Sequence, residues 1–350
     1  MNSKERTAIA LSRRLPDRVP VAAEFVPEVK KILLEHFHTD DYYDMCVKIG
    51  SDMLVYATGI STSFYLKEEN EYVCPWGCGW KYFENKTGRY AEIVRHPLAD
   101  DPDGTKLHAY RTPDPDAPAQ YLPFRELVER YGKTHFICGS VACSIFEAAW
   151  YLHGMEETIE DMLLRPEYTA ELFDKTMQFT LHAGLHFIDE GADMIWLGDD
   201  VGMQDGMLFS PAMWRELLKP RMAVLISAYK ARNPKVLVAY HSCGNIMPII
   251  DDLIEIGLDV LNPIQPHAMD PADIKRKFGD RLAFWGSIDI QDTLPHGSRE
   301  DIRAEVKLRM ETIGKGGGLL LTPAHNVQSD TSLANILAFY EAARELGNYA

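Results

Sequence analysis

No window of 18 consecutive apolar residues occurs in this 350-residue chain, so a membrane-spanning helix is not expected. Nor is there a run of Lys or Arg: 36 basic residues face 52 acidic ones, a formal net charge of −16. Nothing in the chain is built to track a phosphate backbone, and nucleic acid is not an expected partner. The opening stretch MNSKERTAIALSRRLPDRVP is charged throughout and lacks the apolar core of a signal peptide, so a soluble, cytoplasmic protein is expected. Cysteines are few and scattered (Cys46, Cys74, Cys78, Cys138, Cys143 and Cys243), which argues for reduced thiols and against a disulfide framework. Cys74 and Cys78 flank Pro75-Trp76-Gly77 but have no second pair to complete a structural zinc site; a β-turn with buried thiols is the simpler expectation. A Gly-x-Gly-x-x-Gly opening a helix after the first strand is missing too, which disfavours a doubly wound dinucleotide-binding sheet. The glycines of 314–318 precede a strand and lack the helix of a phosphate loop. There is no internal repeat and no low-complexity tract.

What is present is an ordinary globular composition, 46% hydrophobic and 25% charged, in a chain long enough to bury a large core. Short apolar runs alternate with longer amphipathic segments, the pattern of repeated βα units. Eight candidate strands stand out: Val19 to Phe25, Asp52 to Tyr56, His135 to Gly139, Met194 to Gly198, Val236 to His241, Val260 to Pro263, Ala283 to Gly286 and Gly318 to Thr322. Eight strands interleaved with helices predict an α/β fold of the (β/α)8 TIM-barrel type, a single unit over 1–350. Helices are predicted at Met155 to Leu164, Pro166 to Glu190, and Pro211 to Asn233, the last starting on a favourable Pro after Ser210. The stretch 65–123 breaks the rhythm. Rich in Pro, Gly, Asp, Tyr and Trp, with alternating pieces at Trp80–Phe83 and Tyr90–Val94, it predicts an antiparallel hairpin inserted after strand two, placed as a lid or a dimer contact.

Chemistry in such a barrel sits at the C-terminal ends of the strands. There the chain places His241-Ser242-Cys243 at the end of an apolar run, with imidazole and thiol on the same side of an extended backbone. Those two ligand types suit zinc, and His325 after the last strand supplies a third across the mouth, leaving one position open as in catalytic sites. Glu147 or Asp200 is placed to fill or gate that position, and Asp199, Asp200 and Glu147 are the candidates for proton handling. Asp52, Tyr56, Asn262 and Gln265 are the candidates for orienting substrate. Other polar groups gather at strand ends as well: Cys143, His267, Ser287, Asp289, Gln291 and Asn326. Each has an ordinary structural alternative. Asp199 or Asp200 caps a helix or turn equally well, and Asn262 binds backbone equally well.

Taken together, the segments Gly50-Ser51-Asp52-Met53-Leu54, Gly191-Ala192-Asp193 through Asp199-Asp200, Phe209-Ser210-Pro211, His241-Ser242-Cys243-Gly244-Asn245, Leu261-Asn262-Pro263, Trp285-Gly286-Ser287-Ile288-Asp289 and Gly317-Gly318 to His325 resemble the uroporphyrinogen decarboxylase superfamily, and its cobalamin-dependent methyltransferase branch more than its decarboxylases. The resemblance spans nearly the whole chain and implies a (β/α)8 barrel, zinc held by His-x-Cys plus a later ligand, a corrinoid (free cobalamin or a corrinoid protein) as methyl partner, a small methylated substrate, and a homodimer. His241 and Cys243 match that motif; the later position, Cys in the coenzyme M enzymes, is His325 here. A His leaves the zinc less negative and more Lewis acidic, which suits an oxygen ligand and points to O-demethylase-type enzymes acting on methoxylated compounds more than to coenzyme M. Against a metal-free decarboxylase, Asp52 matches the pyrrole-binding aspartate, but the family's Arg-Gln-Ala-Gly-Arg grip on substrate carboxylates is replaced by Glu24-Phe25-Val26-Pro27-Glu28-Val29. A noncatalytic corrinoid-binding protein is a third alternative. The chain lacks the Asp-x-His-x-x-Gly signature of cobalt-ligating domains, and a docking role leaves His241, Cys243 and His325 unexplained.

Overall fold

The computed structural model describes residues 1–349 apart from Asn85 and Thr87. Its strands are β1 (Met53–Ala57), β2 (Glu71–Val73), β3 (Gly79–Glu84), β4 (Arg89–Arg95), β5 (Phe136–Ser140), β6 (Met194–Gly198), β7 (Leu237–His241), β8 (Val260–Asn262), β9 (Ala283–Ile288) and β10 (Leu319–Pro323). Among the described residues, β1 and β5 to β10 form one seven-stranded parallel sheet in chain order, curved as a half-barrel with helices between successive strands. With apolar neighbours on both faces, these strands need no polar alternation, and β5, β9 and β10 are buried at every residue. Side chains still alternate: Val55, Cys138, Ala239, Trp285 and Leu320 meet inside the curve, while Leu54, Ile137, Val238, Phe284 and Leu321 pack toward the helices.

The first expected strand, Val19 to Phe25, forms only isolated bridges. Pro20 has no N–H to give, and the Val21 N–H goes to the Asp52 side chain at 2.9 Å in place of a backbone carbonyl. The segment still spans the gap between the sheet's two edges: the Leu321 N–H donates to the Pro20 carbonyl (2.9 Å) and the Asp52 N–H to the Val21 carbonyl (2.6 Å).

The region 65–123 contains a three-stranded antiparallel sheet, β2-β3-β4, in place of a two-stranded hairpin; β2 is the added strand. It docks on the helix Phe146–His153, where Tyr151 packs against Phe64 and Trp80 and its carbonyl accepts from the Cys78 thiol (3.2 Å). Cys74 and Cys78 are buried free thiols in a turn closed by the Gly77 N–H on the Cys74 carbonyl (2.9 Å).

The helices Met155–Leu164 and Pro166–Asp189 fall where expected. The longer one approaches its neighbour through Gly184, where an added Cβ would lie 2.3 Å from the Tyr229 ring. The single helix expected from Pro211 to Asn233 is two, Pro211–Leu217 and Lys219–Arg232. Pro220 is responsible: it offers no N–H to the preceding turn and tolerates only the first positions of a new helix. Among the described residues, no helix is long and apolar enough to cross a membrane.

Candidate metal centre

In a parallel sheet every strand ends on the same edge, so the loops after β5 to β10 share one mouth. His241 is the last residue of β7 and points into the curve after Leu237 and Ala239. Room for it comes from the facing β6 position: Gly198 pairs with His241 in register, and a Cβ there would sit 2.7 Å from the His241 Cβ. The backbone then turns sharply. Gly244 lies at φ +78°, and an added Cβ would fall 2.5 Å from Gly202, so this close loop-to-loop contact requires glycine.

The donor atoms of His241, Cys243 and His325 lie within 4.8 Å of one another, all three half-buried. The separation of His241 Nε2 from Cys243 Sγ is 3.5 Å. A tetrahedral zinc with ordinary Zn–N and Zn–S bonds spaces those two ligand atoms by about 3.5 Å. The tautomer fits as well. Asn262 Nδ2 donates to the Trp285 carbonyl (3.1 Å), which leaves Oδ1 facing His241 Nδ1 at 2.6 Å. Nδ1 is therefore the protonated nitrogen and Nε2 carries the lone pair toward the cluster.

Cys243 is braced from two sides. Its own N–H donates to Asp200 Oδ1 (2.7 Å), while Gln265 accepts from the Gly244 N–H (2.7 Å) and presents Nε2 3.4 Å from the thiol sulfur. Asp200 Oδ1 also lies 3.4 Å from His241 Nε2. Burial, then the Asp200 and Glu147 carboxylates, push the Cys243 thiol well above its ordinary range, so a thiolate there needs a cation beside it. Burial and the neighbouring His241 push His325 down, toward the neutral form that ligates metals. The residues present therefore suit a borderline divalent ion such as zinc.

Other predicted site residues have different posts. Glu147 is at the mouth, buried, with Oε1 accepting from Tyr151 OH (3.3 Å); burial and the Asp200 and Asp199 carboxylates hold it well above the usual carboxylate range. Asp199 instead caps the helix that begins at Phe146, accepting from the Ile145 and Glu147 N–H groups (both 2.9 Å), with burial pushing it up to about 7. Asn262 and Gln265, expected to orient substrate, have their amides committed to His241 and to the Cys243 loop. Asp52 is at the opposite end of the sheet, before the first residue of β1, fully buried and gripped by Arg6 and Arg18 at 2.8 Å each. Tyr56 faces the helices, packing on Phe124 and Phe187 and donating to the Gln120 carbonyl (2.8 Å). Neither side chain reaches the mouth.

Residues absent from the sequence-based expectation complete the site. Trp196 and Trp285 pack at 4.4 Å between ring centres, their planes tilted by 43°, beneath His241 and form its floor; Trp196 lies 5.6 Å from the imidazole. Tyr151 joins Glu147 to the inserted sheet. The signal for the tryptophans was register: each lies on the inward phase of its strand, two residues before the end of β6 and three before the end of β9. A second cluster sits on the rim, with His267 Nε2 3.5 Å from Asp289 and 3.4 Å from Asp292.

The family model for uroporphyrinogen decarboxylase (URO-D) matches residues 73–346. The chain is similar to the methylcobamide:CoM methyltransferase MtaA of Methanosarcina barkeri, 28% identical over 180 residues that cover 50% of each protein. It is also similar to the uroporphyrinogen decarboxylase of Nostoc punctiforme, 24% identical over 273 residues, 74% of this chain and 71% of the relative. The chain spans about half the length of the Methanosarcina barkeri methyltransferases it matches. Among solved structures, a methyltransferase from Methanosarcina mazei superposes with a TM-score of 0.75 over 99% of both chains at 20% identity, a likeness of fold.

Proposed function

Because the chain belongs to the uroporphyrinogen decarboxylase family, we propose that it is a zinc-dependent methyltransferase of the family's cobalamin-dependent branch. It moves a methyl group between a small methylated or methoxylated compound and a corrinoid, free or on a partner protein. The observation that carries this reading is the convergence of His241, Cys243 and His325, with Asn262 directing the His241 Nε2 lone pair at the cluster. Similarity to methyltransferases, over half their length, supports it. On this reading the whole chain is one (β/α)8 unit with the region 65–123 as its cover.

When bound, zinc supplies Lewis acidity at the substrate heteroatom and the corrinoid supplies the cobalt that exchanges methyl. The chain's own residues do the remaining work. Asn262 fixes the His241 tautomer; Gln265 and Asp200 hold the Cys243 loop in place. Glu147, kept protonated by its surroundings and paired with Tyr151, offers a proton at Oε to a heteroatom that loses its methyl. Trp196 and Trp285 exclude water from below. Trp196 Nε1 and Ser287 Oγ are buried without a hydrogen-bond partner among the described residues.

A decarboxylase reading loses its anchor at Asp52, whose carboxylate is sealed by Arg6, Arg18 and the Val21 N–H. The test is single-turnover methylation of cob(I)alamin by a panel of methylated ethers, amines and thiols, followed by absorbance. Formation of methylcobalamin with the zinc-loaded chain and its loss in Cys243→Ala is expected; transfer undiminished in that variant would overturn the reading.

A further inference from the structure

The loops that form the mouth share a charge pattern that the metal site does not account for. Lys and Arg make up 36 of the 350 residues, yet none falls within 141–145, 199–210, 242–249, 263–270, 289–298 or 324–332, the segments that follow β5 to β10. The same segments hold seven aspartates, from Asp199 and Asp200 to Asp330. Among the described residues, Asp200 has no Lys or Arg ion-pair partner, its one such contact being His241, and the ion-pair contacts of Asp289 and Asp292 are with one histidine, His267. A divalent ion in the His241–Cys243–His325 set would be offset by the Cys243 thiolate and the adjacent Asp200 carboxylate, which leaves no net positive charge to attract an anion. The floor is aromatic, Trp196 on Trp285, and ring faces favour cations.

We infer that the mouth ranks small ligands by charge, cationic ahead of neutral ahead of anionic, so that the methylated substrate is an uncharged or positively charged compound and not a sulfonate, carboxylate or phosphate. This rests on the metal-centre reading only for where the ligand binds. A sulfonate held several ångströms from the rim carboxylates of Asp289 and Asp292, which share the single histidine His267, is disfavoured roughly tenfold relative to a neutral group of similar size at intermediate effective permittivity.

The test uses the full chain in two states. In the cobalt(II)-substituted protein, the thiolate-to-cobalt charge-transfer band is titrated with 2-mercaptoethyl-trimethylammonium, 2-mercaptoethanol and 2-mercaptoethanesulfonate, which carry one thiol on three head groups. In the metal-free protein, tryptophan fluorescence is titrated with tetramethylammonium and methanesulfonate. Expected is that the sulfonate binds at least about tenfold more weakly than mercaptoethanol at low salt, with the gap narrowing near 0.5 M salt as screening shortens the field's reach, and that tetramethylammonium outcompetes methanesulfonate. Equal or tighter binding of the sulfonates overturns the inference even if the cobalt band is present. A missing cobalt band with the fluorescence ranking intact overturns the metal centre and leaves the charge ranking standing.

Discussion

Replacing Asn262 by Ala separates a metal centre from a chance meeting of side chains. Asn262 is buried, and its amide connects the Trp285 carbonyl at 3.1 Å to His241 Nδ1 at 2.6 Å. Without it, a buried carbonyl loses its donor, which costs about 1–3 kcal/mol. The imidazole has an escape that the carbonyl lacks: its proton can move to Nε2, which relieves the unpaired Nδ1–H but removes the lone pair directed at Cys243 and His325. Loss of such a partner behind a metal-bound histidine typically lowers affinity 10–100-fold, or about 1.4–2.7 kcal/mol. Zinc affinity is measured by competition with a chromogenic chelator, and stability of the metal-free chain by urea unfolding. Asn262→Ala should lower both. Asn262→Asp, which still accepts from Nδ1, should lower stability while keeping affinity at or above that of the parent. If Asn262→Ala is less stable but binds zinc as tightly, Nε2 of His241 is not a ligand and the reasoning is wrong.

Further outcomes follow from the same geometry. Asp52→Asn leaves Arg6 and Arg18 without their shared carboxylate and should cost about 3–5 kcal/mol in urea unfolding while leaving zinc content intact; unchanged stability with weakened substrate binding would return Asp52 to the site. Gly198→Ala forces a carbon within 2.7 Å of the His241 Cβ and should reduce stability by about 1–3 kcal/mol together with zinc affinity; unaltered affinity would show that His241 is not held by this contact. Burial pushes Glu24, whose Oε2 accepts from Tyr42 OH at 3.4 Å, up to about 7. A folded-state value above the unfolded one means the folded chain holds an extra proton between roughly pH 4.3 and 7, so stability falls as pH rises through that window and levels off above it. Glu24→Gln should therefore gain on the parent by about 3 kcal/mol between pH 4 and pH 8; parallel urea midpoints at both pH values would contradict it.

The sheet was readable in the sequence because burial on both faces leaves uninterrupted apolar runs, and seven of these form the parallel strands. Val19 to Phe25 was readable as extended but not as irregular, since its failure to form a ladder depends on a carboxylate 31 residues away. Pro220, the residue that splits the helix after Ser210, was in plain view and marks a break that periodicity alone misses. At the site, His241 and Cys243 were legible from their spacing on one strand end, and His325 from its place after the last strand. The roles of Asn262 and Gln265 were not: residue type and strand position cannot separate a side chain aimed at a substrate from one aimed at a neighbouring side chain. Tyr56 and Asp52 went astray for simpler reasons. One residue of strand register decides whether a side chain faces the mouth or the helices, and Asp52 stands at the entry of β1 instead of its exit, pinned there by arginines from the first 18 residues.

The decisive measurement is zinc content with X-ray absorption at the zinc edge, on the parent chain and on Cys243→Ala, His325→Ala and His267→Ala. The prediction is one zinc per chain with a single sulfur and two imidazole nitrogens among its ligands, lost in the first two variants and unaffected by the third. A chain that holds no zinc when supplied with it, or a zinc that survives both Cys243→Ala and His325→Ala, would contradict the central claim.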